Sequence, residues 1–303
     1  MKETKFTISS PVDALPISCL LVEPDEVKGL VLLTHGLSEY KDRYLPLMRC
    51  FAEDGFACAI CDQRGNGESM RAEGDFGCVY GAGAEGILQD VHALGKELVG
   101  RYPSKKLFLY GHSTGSLITL CYMKRWCNEI SGVILSALPE NNPALGAGKA
   151  YLKLKKTFKG ASYRDPAVQK LMASSYAIKG ESSTFAWLNS DPARVRQYED
   201  DPFCGQLGTV EGYLALLDIM QTAYDKKGWD KANLLCPIFI AVGENDPCAD
   251  GEKGASAGEA YLKGVHFVKV EHKIYPGMRH ELHNEPSAPV VVHDYQNKLL
   301  GWL

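Results

Sequence analysis

"KLFLYGHSTGSLI", residues 106–118, is the stretch on which the reading of this chain turns. Leu107 to Tyr110 form an apolar run of strand type, and from Ser116 an apolar series, "SLITLCYMKRW", has helical character. Between the two, Ser113 stands between Gly111 and Gly115. A G-x-S-x-G at a strand-to-helix turn needs small flanking residues, because a Cβ at either glycine would collide with neighbouring backbone, and it holds the serine in strained geometry. The same residues would also serve a plain tight turn. The rest of the chain must decide whether Ser113 has partners.

Further apolar runs lie at "GLVLLTHG" (29–36), "GFACAICD" (55–62), "GVILSAL" (132–138) and "PIFIAVGEND" (237–246). Unbroken runs of this length suit strands covered on both faces, as in a parallel sheet. Segments of helical period separate them. Ile87, Leu88, Val91, Leu94 and Leu98 share one face, and Val291, Tyr295, Leu299 and Trp302 share another. This alternation predicts an α/β protein with a mostly parallel, doubly wound sheet. It stops between Ala137 and about Trp229, where a basic stretch "KAYLKLKKTFK" (149–159) and the helical series Tyr213, Leu216, Leu217, Met220 and Tyr224 show no strand signal. The expected organisation is a core in two parts, 1–138 and 230–303, interrupted by a mostly helical insertion over 139–229.

With 33 Lys and Arg against 37 Asp and Glu, the net charge of -4 gives no electrostatic reason to expect a nucleic-acid partner. No apolar run reaches the roughly 20 residues of a membrane helix. The opening residues show no apolar stretch of signal-peptide type, so none is expected. The 10 cysteines fall mostly inside apolar segments, the pattern of reduced thiols in a cytoplasmic protein. Cys58 and Cys61 form a C-x-x-C, a spacing used by redox pairs and zinc half-sites. Within a strand, however, residues three apart face opposite ways, and no second ligand pair follows. They read as core residues.

A serine hydroxyl attacks well only when a base takes its proton and a third group orients that base. Two later stretches supply candidates in the order acid, then histidine. "FIAVGENDPCAD" (239–250) places Asp246 just past a strand end, with Asp250 as an alternative. "KIYPGMRHELHNE" (273–285) places His280 in the loop after the next strand, with His283 as an alternative. Loops at strand carboxyl ends are where an open α/β sheet gathers its functional groups. His280 and His283 could also be a metal pair, but "HELH" lacks the H-E-x-x-H spacing. Charge developing on an attacked carbonyl oxygen needs N–H donors aimed at it. Thr114 offers one at a helix start, and the His-Gly of "LLTHGLSEY" (32–40) leaves the Leu37 N–H free to offer another.

Taken together, "THGLSEYKDRY" (34–44), "CDQRGNGES" (61–69), "YGHSTGS" (110–116), "VGENDPCAD" (242–250) and "YPGMRHELHNE" (275–285) stand in an order and spacing that resembles the α/β-hydrolase superfamily. Within it, the chain is similar to the monoacylglycerol lipase and lysophospholipase-like group. "WLNSDPARVRQYEDDPFCG" (187–205) resembles the cap segment of bacterial lysophospholipase-like members. The resemblance implies Ser113 as nucleophile, Asp246 as orienting acid, His280 as base, and Leu37 and Thr114 as oxyanion donors. It also implies a cap over about 139–229, with no metal and no organic cofactor. The family commonly has histidines where this chain has Tyr40, Gln63 and Asn66. Those departures bear on the shape and hydration of the site rather than on the catalytic positions.

The implied reaction is acyl transfer to water from a small-molecule acyl ester or lipid, of monoacylglycerol or lysophospholipid type. In "GKAYLKLKKTFKGA" (148–161), Tyr151, Leu154 and Phe158 can share a helical face while Lys149, Lys153, Lys156 and Lys159 lie largely elsewhere. The expectation is a cap helix that packs its apolar face over the pocket and leaves its lysines in water. Transient contact of the cap with a membrane surface would use the same pattern. Two other functions suit the fold. An aminopeptidase or amidase would need a cap carboxylate such as Glu140, Glu199 or Asp200 to hold a substrate amine, and a non-catalytic ligand receptor would leave Ser113 idle.

Overall fold

The computed structural model describes residues 1–142, 144–230 and 232–303. Its strands are β1 (Lys2–Ser9), β2 (Pro16–Glu23), β3 (Gly29–Thr34), β4 (Phe56–Cys61), β5 (Leu107–His112), β6 (Gly132–Ser136), β7 (Ile238–Gly243) and β8 (Val270–Tyr275). They form one 8-stranded sheet in the order β1-β2-β4-β3-β5-β6-β7-β8. From β4 to β8 every neighbour pair is parallel. The five apolar runs make its interior, β3 to β7, and every residue in them is buried.

Alternation along these strands feeds two cores. Leu30, Leu32, Leu107 and Leu109 face one side, and Val31, Leu33, Phe108 and Tyr110 face the other. The first side is covered by α2 (Gly83–Arg101), α3 (Thr114–Trp126) and α8 (Gly251–Gly264), through Leu94, Leu117 and Leu262 among others. The second is covered by α1 (Leu45–Glu53) and α9 (Ala288–Trp302), through Phe51, Tyr295 and Leu299. Each fully buried Leu, Ile or Phe is worth about 1.5–3 kcal/mol of transfer free energy, so the two layers are the main stabilising term. Cys58 faces the second core and Cys61 the first, so the C-x-x-C straddles the sheet.

Three strands, β1, β2 and the edge strand β8, fall outside the apolar runs. β1 pairs antiparallel with β2, Phe6 opposite Cys19, and β2 runs antiparallel to β4. In β1 only Thr4, Phe6 and Ile8 are half-buried while their neighbours are exposed, the period-two pattern of an edge strand open to water on one face.

Between β6 and β7 the described residues form no strand. The helices there are α4 (Leu145–Lys159), α5 (Pro166–Ser175), α6 (Pro192–Asp200) and α7 (Val210–Tyr224). α5 and α6 begin on the same local signal. Asp165 and Asp191 each accept a hydrogen bond from the N–H two residues on, and a proline at the first helical position has no N–H to leave unpaired. α7 joins insertion to core: Val210, Tyr213 and Leu214 pack with Leu152 of α4, whereas Ala215, Ile219 and Ala223 enter the core with α3.

The α4 face expected to cover the pocket is not the one that packs. Leu152 is buried, while Leu154 and Phe158 stand in solvent. The helical period reveals that α4 has faces, but α7, against which Leu152 packs, decides which of them turns inward.

Candidate active site

Strand order reverses between β3 and β5, which pair directly with Thr34 opposite Gly111. In an open α/β sheet such a switch point opens a crevice at the strand carboxyl ends. Here it places the loop after β3, with Leu37, beside the turn after β5, with Ser113.

Ser113 has φ 53° and ψ -121°, a conformation that costs a non-glycine residue about 1–3 kcal/mol. Neighbours hold it there. The Ser113 N–H donates to the Ser136 carbonyl at 2.9 Å, and the Ser116 hydroxyl donates to the carbonyls of Gly111 at 2.8 Å and Ser136 at 3.0 Å. A Cβ on Gly115 would lie 2.1 Å from the Thr34 carbonyl oxygen, and one on Gly111 would lie 2.5 Å from that of Gly115. Both glycines are therefore required by close approach of strand and helix.

Asp246 follows β7 and His280 follows β8, and the two meet at Ser113. His280 Nε2 is 2.8 Å from Ser113 Oγ, and its Nδ1 is 2.8 Å from Asp246 Oδ2. All three side chains are buried. Asp246 Oδ1 accepts from the N–H groups of Cys248 and Ala249 at 2.8 and 3.2 Å, which fixes the carboxylate. With Nδ1–H donating to Asp246, Nε2 is the free lone pair that faces the serine hydroxyl.

The two alternatives lie elsewhere. Asp250 pairs with Lys253 at the start of α8. His283 stacks on Tyr44 with ring centroids 4.7 Å apart, and its Nδ1 is 3.3 Å from the Tyr110 hydroxyl. Burial holds its pKa down at about 4, so it is neutral at pH 7. His112, beneath His280, is likewise held well below its ordinary pKa by burial.

Leu37 and Thr114 flank Ser113 at the cavity floor. Among the described residues, no backbone or side-chain acceptor takes up either N–H. The loop carrying Leu37 is braced from below. The Gly36 N–H donates to Glu39 Oε1 at 2.6 Å, as does the Tyr44 hydroxyl at 2.7 Å. The Gln63 N–H donates to His35 Nε2 at 2.9 Å, so Nδ1 carries the proton and donates to the Gly36 carbonyl. Of the three departures from the family pattern, Gln63 also donates from Nε2 to the His35 carbonyl at 2.6 Å, and Asn66 donates to the Gln63 carbonyl. Tyr40 donates to Asp201 at 2.9 Å and so ties this loop to the insertion.

Two features escape the sequence reading. Arg43 bridges Glu39 at 2.5 Å and Glu281 at 2.7 Å, so one guanidinium links the Leu37 loop to the residue after His280. Burial opposes ionisation of Glu281, but the Arg43 charge outweighs it and the pKa settles below the usual glutamate value. The spacing of Glu39 and Arg43 is visible in "EYKDR"; their shared partner in "HELH" is not. The second feature is Trp187, whose ring lies against that of His280 with centroids 4.6 Å apart and whose carbonyl accepts from the His280 backbone N–H.

Above Ser113 opens a cavity of about 710 Å³, roofed by α4, α5 and α7 through apolar residues such as Leu152, Met172, Leu217 and Met220. Its two carboxylates, Glu39 and Glu281, both belong to the Arg43 pairings. Glu140, Glu199 and Asp200 do not line it.

Comparison with known proteins agrees with this architecture. A monoacylglycerol lipase of Mycolicibacterium smegmatis is 25% identical over 283 residues, covering 92% of this chain and 91% of that one. The phospholipase YtpA of Bacillus subtilis is 25% identical over 265 residues, covering 87% and 92%. The crystal structure of a thermostable carboxyl esterase from Bacillus coagulans superposes with a TM-score of 0.92 over 99% of both chains at 24% identity, a likeness of fold. The family model for serine aminopeptidase, S33, matches residues 25–287, and the chain belongs to that family of α/β hydrolases.

Proposed function

We propose that this carboxylic-ester hydrolase works through an acyl-enzyme on Ser113 and takes an acyl ester of monoacylglycerol or lysophospholipid type. The observation that carries the reading is His280, hydrogen-bonded at 2.8 Å to both Ser113 and Asp246 on the floor of an apolar cavity.

In this reading His280 Nε2 takes the Ser113 proton as Oγ attacks the ester carbonyl, and the Leu37 and Thr114 N–H groups hold the oxyanion. The imidazolium then gives its proton to the departing alcohol. Water, deprotonated by the same nitrogen, attacks the acyl-serine and releases the acid. Asp246 keeps Nδ1 protonated and stabilises the charged imidazole. Residues 139–229 act as the cap that holds the acyl chain, and relatives named monoacylglycerol lipase and phospholipase support that substrate class.

An aminopeptidase would need an unpaired carboxylate for the substrate amine. Glu140, Glu199 and Asp200 are outside the cavity, and the two carboxylates within it are paired with Arg43. Ester hydrolysis is therefore the reading we adopt. The test is hydrolysis of p-nitrophenyl esters of increasing chain length beside Ser113→Ala. Activity that requires Ser113 and rises with chain length is expected; equal hydrolysis by Ser113→Ala would overturn the assignment.

A further inference from the structure

The insertion reaches down to the base itself. Residues 186–190 are tied to the segment 279–285 through backbone and side chains together. The His280 and Glu281 N–H groups donate to the carbonyls of Trp187 at 3.3 Å and Leu188 at 2.8 Å. The Arg279 guanidinium donates to the carbonyls of Ala186 at 2.6 Å and Asn189 at 3.3 Å. The Ser190 and Arg279 N–H groups share Glu285 Oε1 at 3.0 and 2.8 Å. Asn189 and Glu285 are buried, where such bonds are electrostatically stronger than in water. The backbone of Trp187 is therefore fixed by the loop that carries the base.

Its side chain meets that base. The indole lies against the His280 imidazole with centroids 4.6 Å apart and planes tilted by 51°, and Tyr176 packs on the indole at 4.8 Å. Both nitrogens of His280 are committed, Nδ1 to Asp246 and Nε2 to Ser113. A further neighbour can act on the ring only through its π-system and its charge. His112, at 4.9 Å, is kept neutral by burial and brings no negative charge. Tryptophan is the side chain whose face attracts a cation most strongly, and the contact operates within about 6 Å of the ring centroid.

We propose that Trp187 is a positioning residue that stabilises the imidazolium of His280, its indole attracting the charge that appears when Nε2 takes a proton. The attraction is missing while the imidazole is neutral. It is present in the transition states of acylation and deacylation alike, because each moves a proton onto Nε2. An interaction made only there raises kcat and leaves KM alone, whereas a ring that merely walls the cavity acts on substrate binding and so on KM. The inference rests on the serine-hydrolase reading, since it needs an imidazolium.

The experiment is site-directed incorporation of mono-, di- and trifluorotryptophan at position 187, beside Trp187→Phe and Trp187→Leu, with p-nitrophenyl acetate as substrate. Fluorine drains the negative potential from the indole face and barely changes its shape, so a packing role is left intact. We expect kcat to fall stepwise with each fluorine, by roughly tenfold across the series, with KM within about twofold and the thermal unfolding temperature unchanged. Trp187→Phe should keep part of the rate, and Trp187→Leu should lose at least as much as the trifluoro form. A flat or rising kcat across the fluorinated series, or an effect confined to KM, would overturn the proposal whatever Trp187→Leu does. Absence of Ser113-dependent hydrolysis in the parent would instead overturn the catalytic reading, and this inference with it.

Discussion

Glu39 and Glu281, from opposite ends of the chain, share the guanidinium of Arg43. Glu39 also holds the Gly36 N–H, next to Leu37, and Glu281 follows His280, so Arg43 ties the loop that carries Leu37 to the segment that carries His280. Arg43→Ala would strand two buried carboxylates, and loss of a partner from such a cluster costs about 3–5 kcal/mol. We expect that loss in urea unfolding. Arg43→Lys keeps the charge but cannot fork to both acids. It should fold with a smaller loss and lower kcat on p-nitrophenyl esters while KM stays near the parent value.

Asp246 bonds to His280 Nδ1 and to the Cys248 and Ala249 N–H groups rather than to Ser113, and its role in the proposed mechanism is to hold His280 Nδ1–H. Asp246→Asn can present its amide N–H there and favour the wrong tautomer, with a cost near 10⁴-fold in kcat in comparable sites. Fluorophosphonate labelling of Ser113 should slow in parallel, because both need the same proton transfer. Labelling at the parent rate would place the activation of Ser113 elsewhere.

The locations of Ser113, Asp246 and His280 were legible because each follows a strand, two of them unmistakable apolar runs. Loop chemistry at a strand end is a local signal. The Arg43 bridge was not legible, since it depends on β3 and β8 delivering their loops to one place, which only the sheet order decides. β1 was hidden for another reason: its alternation is regular, but its outer face is Glu3, Lys5, Thr7 and Ser9, so it contains no apolar run. On α4 the helical period was plain, yet which face turned inward depended on the partner helix. Trp187 could be placed only once the insertion was folded back over His280.

His283 gives the fold a pH dependence. Burial among Tyr44, Tyr110 and His112 depresses its pKa to about 4, against partial support for the proton from Glu281 and Glu39 and further opposition from Arg43 and His280. The unfolded chain, with an ordinary histidine pKa near 6.5, therefore binds more protons than the folded one between about pH 6.5 and 4. Stability is full above that window and falls as pH drops through it, by roughly 2–3 kcal/mol at pH 4.5. Glu281, with its depressed pKa, adds loss in the same direction below the ordinary glutamate range. His283→Gln removes the titration and should flatten the difference between urea unfolding at pH 7 and pH 4.5. An unchanged difference would assign the acid sensitivity to other groups.

Chain-length preference should be tunable from α4 without touching the chemistry. Gly148 lines the cavity beside Leu152, and a Cβ there would already lie 3.3 Å from Leu217 Cδ1. A large side chain at this position must either displace Leu217 or fill the space available to an acyl chain. Each buried methylene is worth about 0.8 kcal/mol, so KM for the parent should fall roughly fourfold per added methylene until the cavity is full. In Gly148→Phe that decline should end at a shorter chain, while turnover of p-nitrophenyl acetate stays within about twofold, because no hydrogen bond to Ser113, Asp246 or His280 is altered. If the longest accepted chain is unchanged, the acyl chain leaves Ser113 by another route, past other lining residues such as Tyr198 and Leu207. Tyr198→Trp would then be the substitution that shortens it.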